Sequence, residues 1–286
     1  MKTICYVLAS VALSATAVLA QDAPTRELVE FSSVNTDVKL TISPDGQFAV
    51  WGVGTDAGLD LFMSRKTKDG WGATEAVPFN TAATEFDPSF APDGRSLLFF
   101  SDREGGFGGD DLYEVSFDAE TGSFGKPANL GGTVNSKGDD WAPVLNASGT
   151  KLLFASDGHG GYGKHDLFIS DKVDGAWATP KNLGPAINSA REDFDAAFLP
   201  GDSRMVYSQG TFEGDGDVRL RFAEKVDKVW SKKSELPKLF NCRTGLNFGP
   251  SVSAAEPDWF YWSATCKDGR GKSDIWRAPI TALGQP

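Results

Sequence analysis

Apolar residues in this chain come in short runs broken by Gly, Pro, Asp and Asn, and long helical patterns of Ala, Leu, Glu and Lys are missing. One stretch shows the unit most clearly. Residues 87–91 read as a first strand, and the turn Pro92-Asp93-Gly94 leads into a second strand over 96–101. A glycine-rich loop, 102–110, precedes a third strand over 111–117, and a fourth runs near 125–130. The turn chemistry is physical: Pro fixes φ, and Gly accepts the left-handed backbone that a tight hairpin needs. Equivalent turns stand at Pro44-Asp45-Gly46, Ser148-Gly149 and Pro200-Gly201-Asp202, with a drifted copy around Glu256-Pro257-Asp258.

The unit repeats. Trp71, Phe124, Trp177 and Trp230 fall 53 residues apart at each step. An Asp followed by apolar residues recurs at Asp60, Asp111, Asp166, Asp217 and Asp274, and an apolar residue followed by Asn recurs at Asn35, Asn80, Asn135, Asn188 and Asn241. Four strands in about 50 residues, repeated in tandem, predict the radial arrangement of a propeller. The fifth unit stops after its third strand, near 277–280, while residues 27–31 hold the fourth-strand place relative to the first Asn marker. The expected fold is therefore all-β, a five-bladed β-propeller of four-stranded antiparallel blades, its ring closed by the N-terminal strand joining the last blade.

The segment Asp87-Pro88-Ser89-Phe90-Ala91-Pro92-Asp93-Gly94, with 97–102 and Asp111-Leu112-Tyr113, resembles the PD40 (WD40-like) repeat of TolB-like envelope propellers. Pro180-Lys181-Asn182-Leu183-Gly184 is similar to the linker of PD40 proteins of bacterial envelopes. The resemblance spans nearly the whole chain after its first 20 residues. It implies a fold and an envelope setting; propellers host many functions, so it implies no chemistry.

Lys2 followed by the apolar run 4–19, with Val18 and Ala20 at the positions a signal peptidase reads, predicts a signal peptide over 1–20 and one domain over 21–286. No cysteine stands at 21 to take a lipid, and no later apolar run is long enough for a membrane helix. A periplasmic or secreted protein is expected. Loss of Lys2 takes the formal charge from −11 to −12, which argues against nucleic acid as a partner. Cys242 and Cys266 survive processing and are expected to pair, closing a loop of roughly 25 residues for about 3 kcal/mol.

Candidate chemistry gathers where the loops between second and third strands meet those that enter each first strand. Asp37, Glu85, Asp140, Asp193 and Asn247 recur at the entrance to each first strand, Asp87 and Asp195 stand two positions further in, and Asp139 and Glu192 flank the column. These carboxylates are expected at the channel mouth. They could hold a cation such as Ca²⁺, which takes several oxygen ligands; they could dock a basic segment; or they could cap strand ends. The glycine-rich loops 101–111 and 156–166 fit neither a P-loop nor an EF-hand, and Asp111 and Asp166 are expected to fix their turns. Phe107 and Tyr162 are expected to protrude from them as partner or sugar contacts. His159 and His165 share one loop, and their spacing could set two imidazoles beside the acidic rim for a transition metal.

The leading expectation is an exported, non-enzymatic binding or scaffold module that needs no cofactor and offers an acidic channel face to a protein or peptide, with a glycan as a further partner class. The alternative is a carbohydrate-active enzyme, a hydrolase using Asp37, Asp87, Asp140 or Asp193 or a lyase using His159 or His165.

Overall fold

The computed structural model describes residues 23–55, 58–242 and 245–284. The expected signal peptide lies outside the described residues. The chain is a β-propeller; its antiparallel pairings fall into five groups, of which the fourth and fifth are joined into one eight-stranded sheet by a parallel pairing of Asp217 and Val218 with Gly245 and Leu246.

Unit one runs through Thr36–Ile42, Phe48–Thr55 and Gly58–Thr67; unit two through Glu85–Phe90, Ser96–Ser101 and Asp111–Asp118; unit three through Asp140–Leu145, Lys151–Ser156 and Asp166–Val173. Unit four comprises Glu192–Phe198, Arg204–Thr211, Asp217–Val226 and Val229–Glu235. Unit five comprises Gly245–Val252, Trp259–Ala264 and Asp274–Pro279. Its outer edge is covered by Glu27–Leu28, which pairs antiparallel with Arg277 and Trp276, as the closure argument expects. Two contacts reinforce that seam: Arg277 meets Glu27 at 2.8 Å and Arg26 meets Asp268 at 2.7 Å. The first strands of successive units neighbour one another, and unit one's first strand returns against unit five's.

The fourth strand departs from expectation. In unit two it is split into Ser123–Phe124 and Ala128–Asn129. Between them lies Pro127, which has no N–H to give to a ladder. Unit three shows the same break around Pro180, and unit one breaks between Gly70–Trp71 and Glu75–Ala76 without a proline, whereas unit four keeps one continuous strand over Val229–Glu235.

The core is a cycle of five inter-sheet layers. Second strands are buried on both faces, so successive residues serve different layers: Leu97 and Phe99 pack toward unit one, and Leu98 and Phe100 toward unit three. The same alternation sends Leu152 and Phe154 toward unit two and Leu153 and Ala155 toward unit four. Tyr261 and Ile275 of unit five pack with Ala49 and Trp51 of unit one and close the cycle. This two-sided burial is why these strands read as unbroken apolar runs.

The Asn marker has a backbone function. Asn135 accepts from Leu112 N–H at 2.8 Å and donates to Leu112 C=O at 3.1 Å, and Asn188 treats Leu167 likewise at 2.9 and 3.0 Å. A side-chain amide thus pairs with a strand edge and pins the chain passing to the next unit. Cys242 and Cys266 form a disulfide with Cα atoms 5.6 Å apart, a normal spacing for a bridge.

Candidate functional site

In units one to four the first strand is entered through a tight turn, and the recurring carboxylates close those turns. Asp37 Oδ2 accepts from the N–H and Oγ of Ser33 at 2.6 and 2.7 Å, and Asp193 Oδ2 accepts from the same groups of Ser189 at 2.6 and 2.8 Å. Asp140 accepts Ser136 N–H at 2.6 Å, and Glu85 accepts Thr81 N–H at 2.8 Å and the Arg103 guanidinium at 2.8 Å. In unit five the neutral Asn247 accepts from Cys242 N–H at 2.7 Å. Asp37, Glu85, Asp140 and Asp193 are all buried. Of the roles the sequence leaves open for them, cation ligand, docking point or strand cap, these bonds display strand capping: four-residue turns leave an inward N–H that a short carboxylate satisfies. Burial pushes the Asp37, Asp140 and Asp193 carboxyls above their ordinary range, and the capping bonds pull part of the way back.

Two positions further in, every first strand bulges. Lys39, Asp87, Ala142, Asp195 and Gly249 take φ of 50°, 50°, 51°, 41° and 59°, each at a break in strand register. A residue forced into left-handed backbone interrupts the ladder and swings the strand inward. These bulges bring Lys39, Asp87 and Asp195, from units one, two and four, together on the axis. Lys39 Nζ donates to Pro250 C=O at 3.2 Å, and Asp195 Oδ2 accepts Gly249 N–H at 2.9 Å. Burial, followed by the neighbouring Asp195 carboxyl, holds Asp87 well above the usual carboxylate range, with the Lys39 charge opposing. The three side chains form a buried polar plug. Sequence reading singled out both acids but missed Lys39, although it occupies the same register two residues after Asp37.

Beyond the plug, on the side of the turns joining first and second strands, a cavity of about 520 Å³ opens. Its wall includes Pro44, Pro92, Val144, Phe198 and Pro257, and Lys39 borders its floor.

The opposite face carries the loops joining second and third strands. Phe107, Tyr162 and Phe212 stand out there, 54%, 52% and 44% exposed, on the loops of three consecutive units. The loops are braced from below: Asp111 accepts Phe107 N–H at 2.6 Å and Asp166 accepts Tyr162 N–H at 2.7 Å. At Gly161 a Cβ would come 1.9 Å from the Asp166 carboxylate, so no larger residue fits this brace. Among the aromatics lies a second set of carboxylates. Asp110 accepts Trp141 Nε1–H at 2.7 Å, and burial, with the charges of Asp139 and Asp102, raises its carboxyl to about 6 against the pull of that bond. Asp139 Oδ1 accepts Asp110 N–H at 3.0 Å, and Asp157 Oδ1 accepts Asp139 N–H at 2.8 Å.

The two histidines part company. His159 Nε2 lies 2.6 Å from Val134 C=O and packs against Phe154 and Phe168. His165 stacks on Trp141 with ring centroids 3.6 Å apart and sets Nδ1 2.9 Å from Glu192 Oε2. Only His165 joins the carboxylates of Asp139 and Asp157, whereas His159 lies near the buried Asp140. Asp110, Trp141, Asp157 and Phe212 escaped sequence reading because they follow no repeat marker.

No protein-family model matches this chain, and no curated protein matches its sequence. Solved structures do. A thermostable family-43 glycoside hydrolase superposes with a TM-score of 0.60 at 9% identity, covering 88% of this chain and 91% of its own. A putative TolB from Agrobacterium tumefaciens superposes at 0.50 with 13% identity, covering 87% and 84%. TolB from Acinetobacter baumannii matches 76% of this chain at 17% identity and a TM-score of 0.48, and the chain spans only 46% of that protein's length. At such identities the first two likenesses establish the β-propeller fold alone, shared by a putative TolB and a glycoside hydrolase alike.

Proposed function

We propose that this chain is an exported, non-catalytic binding module that captures a protein or peptide segment on the face carrying Phe107, Tyr162 and Phe212. The observation that carries this reading is the placement of three exposed aromatic side chains on consecutive loops, around the carboxylates of Asp102, Asp139 and Asp157. Large aromatics on braced loops lose little entropy on binding and supply most of the energy at protein interfaces. The acidic surroundings and the negative formal charge favour a segment bearing Lys or Arg and speed its approach. No helix among the described residues is long and apolar enough to cross a membrane. Together with the N-terminal apolar run and the disulfide, this suits a periplasmic or secreted setting.

Photo-crosslinking tests the reading. A photoreactive residue at Tyr162 is expected to trap a partner in extract from the exporting cell, with capture lost in a Phe107→Ser variant and weakened by salt. Crosslinks arising only from a probe at Pro200, beside the cavity on the other face, would overturn it.

A second reading, a glycoside hydrolase, is favoured by the meeting of Asp87 and Asp195. It requires two carboxyls roughly 5 Å or 6.5–9.5 Å apart facing a sugar, whereas these two are buried in the plug. Hydrolysis of arabinoxylan or aryl arabinosides that disappears in Asp87→Asn would establish it in place of the first reading.

A further inference from the structure

The geometry points to a binding site for a divalent transition-metal ion of the zinc class, held by His165, Asp139 and Asp157 on the loop face. A ring nitrogen of His165 and one carboxylate oxygen from each aspartate lie within 4.8 Å of one another. Metal bonds of about 2.1 Å place tetrahedral donors about 3.4 Å apart, so closure requires a movement of about 1.4 Å at most. Asp157, the exposed member of the set, can make it by turning its carboxylate about the one oxygen that is anchored on Asp139 N–H.

The histidine supplies the independent argument. His165 is 6% exposed, and its Nε2 is buried with no hydrogen-bond partner. A buried imidazole nitrogen without a partner costs about 1–3 kcal/mol, so one that persists calls for a ligand. Its other nitrogen explains which ligand. Nδ1 faces Glu192 Oε2 at 2.9 Å, where a carboxylate accepts a proton rather than giving one. The proton therefore resides on Nδ1, and Nε2 presents a lone pair. A carboxylate–histidine pair of this kind is how proteins orient an imidazole toward a metal and raise its basicity. Stacking on Trp141 fixes the ring plane.

The two aspartates are equally fixed. Each anchors one oxygen on a backbone N–H, Asp139 on that of Asp110 and Asp157 on that of Asp139. Two carboxylates and a neutral imidazole carry a charge that a divalent cation cancels. One nitrogen with two oxygens suits zinc and its neighbours, whereas calcium takes oxygen ligands in larger number. The ligands come from the loop entering unit three's first strand and from that unit's glycine-rich loop, so the ion would tie both beneath Tyr162. The inference stands on these distances and does not depend on the reading of this face as a docking surface.

Equilibrium dialysis of chelator-stripped protein against Zn²⁺ and against Ca²⁺, with metal analysis of the retained fraction, tests it. One equivalent of zinc is expected, with millimolar calcium failing to displace it. Asp157→Asn, a change on an exposed side chain, is expected to weaken zinc binding tenfold or more, and His165→Gln to abolish it. Glu192→Gln, which removes the charge that orients the imidazole and pairs with Lys164, is expected to cost about 10- to 100-fold. Absence of saturable zinc binding, binding unchanged by Asp157→Asn, or calcium held as tightly as zinc would each overturn the assignment.

Discussion

The two ends of the channel are built from the same five strands yet have opposite chemistry. On the cavity side the strands leave through tight turns such as Pro44-Asp45-Gly46 and Pro200-Gly201-Asp202, and the wall is largely apolar, with proline in several units. On the loop side the strands arrive through longer segments that bring carboxylates, and these fall into two populations. Those that recur in each unit, Asp37, Glu85, Asp140 and Asp193, are buried and bonded to the turn behind them. Those found in only one or two units, Asp110, Asp139, Asp157 and Glu192, gather around Trp141 and His165, with Asp157 standing where unit two has Asp102. Recurrence marks what every blade needs in order to fold. Departure from it marks the region where this chain differs from an idealised propeller.

Adjacent residues allow the sharpest test of that division. Asp140 is a recurring cap and Asp139 is not. Asp140→Ala leaves Ser136 N–H buried without its acceptor and is expected to lower stability by about 2 kcal/mol. Asp139→Ala is expected to cost under about 1 kcal/mol, because its carboxylate is only half-buried. Urea unfolding of the two variants at equal slope measures both, and equal losses would erase the distinction.

A smaller effect is expected at the axial plug. A carboxyl whose folded pKa lies above its unfolded value binds more protons in the folded state, so stability falls as pH rises from the unfolded pKa through the folded one. Asp87 is such a group, raised by burial and by Asp195. Asp87→Asn keeps a residue tolerant of left-handed backbone and removes that titration. The variant is expected to lose part of the decline in melting temperature above about pH 4 and to gain about 1 kcal/mol at pH 7. A pH profile identical to the parent would show that the plug does not carry this charge strain.

The smallest effect is expected at the protruding aromatics. Tyr162→Ser should change stability by less than about 0.5 kcal/mol, since the ring contributes little to the core. A thermal scan showing a larger loss would mean that the ring is part of the fold rather than of a binding face.

Much of the fold was legible before any coordinates. The strand at Ser96–Ser101, the start of the next at Asp111, and the closing role of the N-terminal segment follow from turn residues and the repeat spacing, which are local signals. Two of the split outer strands carry a local signal, Pro127 and Pro180, whereas the split in unit one, between Gly70–Trp71 and Glu75–Ala76, has no proline to mark it. The site was less legible. Asp87 and Asp195 lie more than a hundred residues apart and meet only because bulges swing two strands to one axis, and Lys39 joins them for the same reason. His159 and His165 share a loop, yet one turns toward Val134 and the other toward Glu192 of the next unit.

The sequence by itself determined the repeating unit, its turns and the way its ends join, because each depends on backbone preferences and apolar alternation within a few residues. Only the tertiary structure decided which carboxylates are buried caps and which remain on the surface. Burial is a property of neighbouring sheets, and the residues that surround His165 come from two loops and two strands whose proximity no local pattern encodes.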